Sequence, residues 1–152
     1  HGIGRRQRQM CIRDRKVVDL ARARLLPIRQ AIGQYLSGIP FELLRKELCV
    51  INVHFVPKRK GDAFHLMQWL EYGLKSIEDT SIDSKLIELK PNSNKSLCFE
   101  IQYAHGQFIH WTQFEDSSIS HLTQNLGGIE KKLSIQIKPL LPEQELSEAF
   151  YF

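Results

Sequence analysis

The residues best placed for chemistry on type and spacing are a basic turn, Lys58-Arg59-Lys60, and the acidic Asp62 that follows it at an expected helix start. Ahead of Asp62, Lys58-Arg59-Lys60 sets three cations beside an expected helix N-terminus. Free backbone N–H groups there add to the attraction for an anion such as phosphate. The other reactive types are scattered. His54, His65, His105, His110 and His121 supply no HxxxH or HExxH pair that would set two imidazoles on one helix face. Ser117, Ser118 and Ser120 lack the Gly-x-Ser-x-Gly elbow, and neither Cys49 nor Cys98 has an adjacent basic residue to activate a thiolate. Gly127-Gly128 follows an expected helix, the reverse of the order a phosphate loop requires.

The elements that must position these residues follow from hydrophobic period. Val17, Val18, Ala21, Leu25, Ile28, Ile32, Tyr35 and Leu36 recur at helical spacing over 16–36, with a kink expected at Pro27 and a left-handed glycine cap at Gly38. A short helical turn is expected from Pro40 to Leu48. Cys49 to Val56 carries Cys49, Ile51, Val53 and Phe55 on one face and, together with Leu48, Val50 and Val56 on the other, which predicts a central strand. Asp62 then reads as the N-cap of an amphipathic helix carrying Ala63, Leu66, Met67, Leu70, Leu74 and Ile77. Strands are expected over 85–90, 96–104 and 107–114, the last two forming a hairpin about a two-residue His105-Gly106 turn. That register opposes Ile101 to His110. It sets Phe99, Tyr103, Phe108, His110 and Phe114 on the core face and Ile109 with Trp111 on the outer face. Ser117 or Ser118 reads as the cap of a helix with Ile119, Leu122 and Leu126, ended by Gly127-Gly128. Leu133, Ile135 and Ile137 alternate as a last strand, and Pro142 opens a final helical stretch. The expected fold is α/β or α+β, with a mixed sheet of about five strands and helices packed against it.

The segment from Val56-Pro57-Lys58-Arg59-Lys60-Gly61-Asp62 to Asp83-Ser84-Lys85-Leu86-Ile87-Glu88-Leu89 resembles RusA-type Holliday-junction resolvases. The resemblance implies a Mg²⁺-dependent endonuclease acting on DNA, with Asp62 matching the first aspartate of the family's Asp-x-Asp-Asn motif and Asp83 its later metal-binding aspartate. Phe64 and His65 stand where the family has its second aspartate and its asparagine. A second stretch runs from Leu86-Ile87-Glu88-Leu89 through the hairpin and expected helix to Leu133–Ile137 and Leu141-Pro142-Glu143-Gln144-Glu145-Leu146. It resembles the C-terminal module of von Willebrand A/MoxR-associated conflict-system proteins, which implies a non-catalytic adaptor without a cofactor.

Charge has to be read with the N-terminus set apart. Residues 5–15, Arg5-Arg6-Gln7-Arg8-Gln9-Met10-Cys11-Ile12-Arg13-Asp14-Arg15, resemble the translation of a transposon-end adapter used in shotgun libraries. Residues 1–15 are therefore expected to be a non-native leader, and 16–152 a single domain from a longer protein. The leader carries the chain's whole formal excess of +4, so residues 16–152 hold 16 basic and 16 acidic side chains. A basic isoelectric point is thus no argument for nucleic acid. The apolar fraction of 42% suits a packed core and excludes disorder. Cys49 and Cys98 without CxxC spacing fit a reducing, cytoplasmic setting, with a disulfide between them left open. The most apolar stretch, 48–56, is about half the length of a membrane helix, so no membrane partner is expected. The function expected is a non-enzymatic module working by protein–protein contact, with Ile109 and Trp111 as contact residues and Lys58, Arg59 and Lys60 as an anion-binding turn. The alternative is the Mg²⁺-dependent nuclease with Asp62, Asp83 and Glu88 as ligands.

Overall fold

The computed structural model describes residues 23–75 and 82–137, which form a mixed six-stranded sheet with helices packed on one face. The final helical stretch expected after Pro142 lies outside these residues. Helix α1 covers 23–37 and buries Leu25, Ile28, Ile32 and Leu36 along one stripe. It runs through Pro27 without a break, since a proline removes only one ladder bond. Gly38 is not left-handed; its N–H bonds back to Tyr35 O at 3.1 Å, and a tightened last turn closes the helix. A single turn, α2 (Phe41–Arg45), leads into β1 (Leu48–Phe55). A 3₁₀ turn over Pro57–Arg59 then feeds α3 (Lys60–Leu74), which buries Ala63, Leu66, Met67, Leu70 and Leu74.

The remaining strands are β2 (Asp83–Glu88), β3 (Lys95–Tyr103), β4 (Phe108–Phe114), β5 (Ile119–Leu126) and β6 (Ile129–Gln136). They lie in the order β2-β1-β3-β4-β5-β6, with β1 and β2 parallel across the α3 crossover and every other pair antiparallel. As expected, β1 is interior, flanked by β2 and β3. Cys49 is exposed near its start, while Cys98 is buried opposite His54 near its other end. Five residues of strand, about 16 Å, separate the two rows, so no disulfide joins them. Burial raises the Cys98 thiol to about 11.

Two elements differ from the sequence expectation. The β3–β4 turn takes three residues, Ala104–Gly106, with His105 and Gly106 both at positive φ. Ile101 therefore pairs with Ile109, and Phe99 with Trp111. A one-residue slip exchanges the faces of a strand. Ile109 and Trp111, expected on the outer face as contact residues, are fully buried in the core. His110 moves to the other face and stacks on Phe108 at 4.3 Å, where burial lowers its pKa.

The expected helix at 117–126 is strand β5. Its inward positions are Ser120, Leu122, Gln124 and Leu126, and the two polar members hide the alternation. Both are satisfied. Ser120 Oγ accepts from Trp111 Nε1 at 2.9 Å and donates to Ile135 O at 3.2 Å, and Tyr35 Oη donates to Gln124 Oε1. Gly127 and Gly128, at φ 63° and 78°, form a two-residue hairpin turn of the kind that matches strand twist.

Tyr103 ties α2 to the sheet by donating from Oη to Leu44 O at 2.6 Å, and its burial pushes the phenol well above its ordinary value. Tyr103→Phe is expected to cost about 1–2 kcal/mol in chemical denaturation, because a buried carbonyl loses its donor. An unfolded tyrosine ionises near pH 10. The folded phenol ionises only at higher pH, so its contribution is complete below pH 10 and is lost above it. The variant should therefore show a shallower fall of stability with pH in that alkaline range.

Candidate functional site

A cleft of about 750 Å³ opens where α1, the start of α3 and the loop after β4 meet. Its floor is built around Arg59, the last residue of the 3₁₀ turn. Arg59 Nε donates to Asp62 Oδ2 at 3.0 Å, and Nη1 donates to Ser96 Oγ at 3.1 Å and to Gln113 Oε1. Ser96 in turn donates to Gln113 O at 3.3 Å, which closes the network between β3 and β4. Arg59 Nη2 makes no hydrogen bond to a described residue, and the side chain remains 17% exposed. The planar fork is held by three acceptors with the Nη2 amino group left over, a donor suited to a single carboxylate or phosphate oxygen.

The charges around this floor are unequal in freedom. Asp62 is only 4% exposed as a side chain; its Oδ1 lies 3.4 Å from Arg24 Nη2 and makes no hydrogen bond. It sits in the first turn of α3, where the helix dipole favours a negative charge. The N-cap position expected for it is taken by Arg59. Arg24 and Lys58 are the exposed cations at the mouth, and Lys58 Nζ reaches Glu115 Oε1 at 3.4 Å on the rim. That exposed pair adds little stability, so Lys58 can turn towards a ligand at small cost.

Of the residues singled out in sequence, Lys58, Arg59 and Asp62 converge on this cleft. Lys60 starts α3, is exposed and does not line it. Asp83, Glu88 and Asp62 do not form a carboxylate cluster. Asp83 and Glu88 cap opposite ends of β2, five residues apart, so they project to opposite faces about 16 Å from each other. Asp83 pairs with Val50, far from the end of β1 that leads to Asp62, and both Asp62 oxygens face guanidinium groups. Among the described residues no group of three or more His, Cys, Asp or Glu side chains is placed to hold a metal ion. Arg24, Ser96 and Gln113 carry no local sequence signal. Their role comes from three separate elements meeting, and the only hint is that Ser96 and Gln113 are polar where their strands face inward.

A second hollow of about 610 Å³ lies at the other end of the helices, lined mainly by Leu36, Ile39, Phe41, Trp69, Leu70 and Leu74. It offers apolar surface without converging charge. Among the described residues no helix is long and apolar enough to cross a membrane. Comparison with protein-family models, curated proteins and solved structures returned no match.

Proposed function

We propose that this domain is a non-enzymatic interaction module of the cytoplasm, and that the cleft holds an anionic group presented by a protein partner. The observation that carries this is Arg59: its guanidinium is oriented in advance by Asp62, Ser96 and Gln113, with Nη2 making no hydrogen bond to a described residue beside a cleft. A guanidinium fixed before binding loses little entropy on capture, which is how preorganised sites gain affinity. Arg24 and Lys58 add cations at the mouth that Asp62, Glu115 and Asp116 balance, so the oriented guanidinium, rather than net charge, favours an acidic group. The adaptor role implied by the conflict-system resemblance agrees with a site that binds rather than transforms. The free thiols of Cys49 and Cys98 agree with a reducing compartment.

Acetate and inorganic phosphate serve as minimal probes in a ¹H–¹⁵N titration of the full chain. Saturable shifts are expected at the Arg59 Nε–H and at amides of 58–62 and 113–118. Arg24→Ala combined with Lys58→Ala should weaken binding roughly tenfold, the size of a lost charge-assisted contact. Shifts that stay linear with concentration, or that survive the double substitution unchanged, would remove the cleft from this role.

A further inference from the structure

We propose that two copies of this chain pair through β6, antiparallel about a two-fold axis at Leu133, to make one continuous sheet. The starting point is the edge itself. Among the described residues β6 is the last strand of the sheet and no strand pairs with its outer side; seven of its eight residues are exposed, including Ile129 at 56% and Leu133 at 41%. An edge of this length with a row of unpaired N–H and C=O groups is a template for another strand.

Backbone parity narrows the pairings. Leu126 and Ile129 face each other across the two-residue turn, and Ile137 N–H donates to Ser118 O at 2.7 Å. Residues 129, 131, 133, 135 and 137 therefore spend their backbone groups on β5. The outward groups belong to Glu130, Lys132, Ser134 and Gln136, because alternate residues of an antiparallel strand bond to opposite neighbours. A partner strand must match outward residues to outward residues. Setting Leu133 opposite its own copy does this along the whole element: Lys132 meets Ser134, and Glu130 meets Gln136.

Side chains select the same register. With Leu133 on the axis, Leu133 packs against Leu133 and Lys131 faces Ile135, so no like charges stand directly opposite within the strand. Moving the axis to Lys132 or Lys131 sets two lysines face to face and leaves outward groups at the strand end unpaired. Paired lysines on an edge usually guard against association. Here they penalise those neighbouring registers and spare this one, while an axis at Ser134 avoids lysine pairs but leaves Glu130 without an outward partner in the strand. The free edge of β6, its backbone parity and its self-complementary sequence together assign a second copy of the chain as the occupant.

The test is the mass of the full chain by analytical ultracentrifugation over a concentration series, with cross-linking as the register probe. Wild type should shift from monomer to dimer with concentration. Ser134→Pro removes an outward N–H that β5 does not use, so it should abolish dimerisation with an unchanged circular dichroism spectrum. Leu133→Asp, which opposes two carboxylates on the axis, should do the same. In a Cys11→Ser, Cys49→Ser background, Leu133→Cys should form an intermolecular disulfide under mild oxidation, because directly opposed Cβ atoms lie about 4.5–5.5 Å apart. Lys131→Cys should not. A chain that stays monomeric at all concentrations overturns the proposal, as does a dimer that survives Ser134→Pro and Leu133→Asp. Equal cross-linking at 131 and 133 overturns the register.

Discussion

Trp111→Ala is expected to remove about 3–5 kcal/mol of folding stability, the range for truncating a fully buried large aromatic. Small domains have about 5–15 kcal/mol in total, so the variant should be close to unfolded at moderate temperature. Two losses combine at this position. The indole stacks on Phe99 at 5.7 Å between centroids in the middle of the sheet's covered face, so its removal leaves a cavity that close-packed neighbours cannot refill. Its Nε1–H also satisfies Ser120 Oγ, a buried hydroxyl on the next strand. Trp111→Phe retains much of the volume and loses the hydrogen bond, and should cost less than half as much. Urea unfolding followed by far-ultraviolet circular dichroism measures both. A loss below about 1 kcal/mol for the alanine variant would place Trp111 on a surface, where a partner-contact residue belongs.

Arg59→Ala is expected to cost about 3 kcal/mol, because it strands a buried carboxylate. Asp62 Oδ2 loses its donor, and Ser96 and Gln113 lose theirs. Arg24 remains near Oδ1, but at 3.4 Å and half-exposed it cannot replace the fork. Arg59→Lys keeps the charge without the planar geometry that reaches three acceptors at once, and should recover only part of the loss. The decisive comparison is the double variant Arg59→Ala, Asp62→Asn. Removing the uncompensated charge should restore 1 kcal/mol or more relative to Arg59→Ala alone, a coupling that a double-mutant cycle isolates. Additive losses would show that the two side chains do not depend on each other. The same substitutions empty the cleft of its oriented guanidinium, so the anion-dependent shifts proposed for the wild type should vanish in Arg59→Ala.

Local period determined a good share of this architecture by itself. The helix stripe of Leu25, Ile28, Ile32 and Leu36 and the stripe from Ala63 to Leu74 bury what their spacing predicts. In β1 the face of Ile51, Val53 and Phe55 is buried, while Cys49 is exposed and the face of Val50, Asn52 and His54 is half-buried. The mixed sheet with helices followed from that order, although it has six strands where about five were expected. The basic turn and Asp62 were also legible as a charged entry to α3.

Tertiary structure decided the rest, and each case has its own physical reason. The β5 pattern was unreadable because Ser120 and Gln124 are buried polar residues whose partners, Trp111, Ile135 and Tyr35, are supplied by other elements. The face of Trp111 hung on one extra turn residue, since His105 adopts a positive φ that a sequence pattern does not disclose and a period of two converts one residue into an exchange of faces. The roles of Arg24, Ser96 and Gln113 exist only where α1, β3 and β4 meet at Arg59. The separation of Asp62 from Asp83 was likewise set by where β2 aligns along β1. Spacing along a chain constrains which face a side chain takes within its own element; which elements bring their faces together is settled by packing.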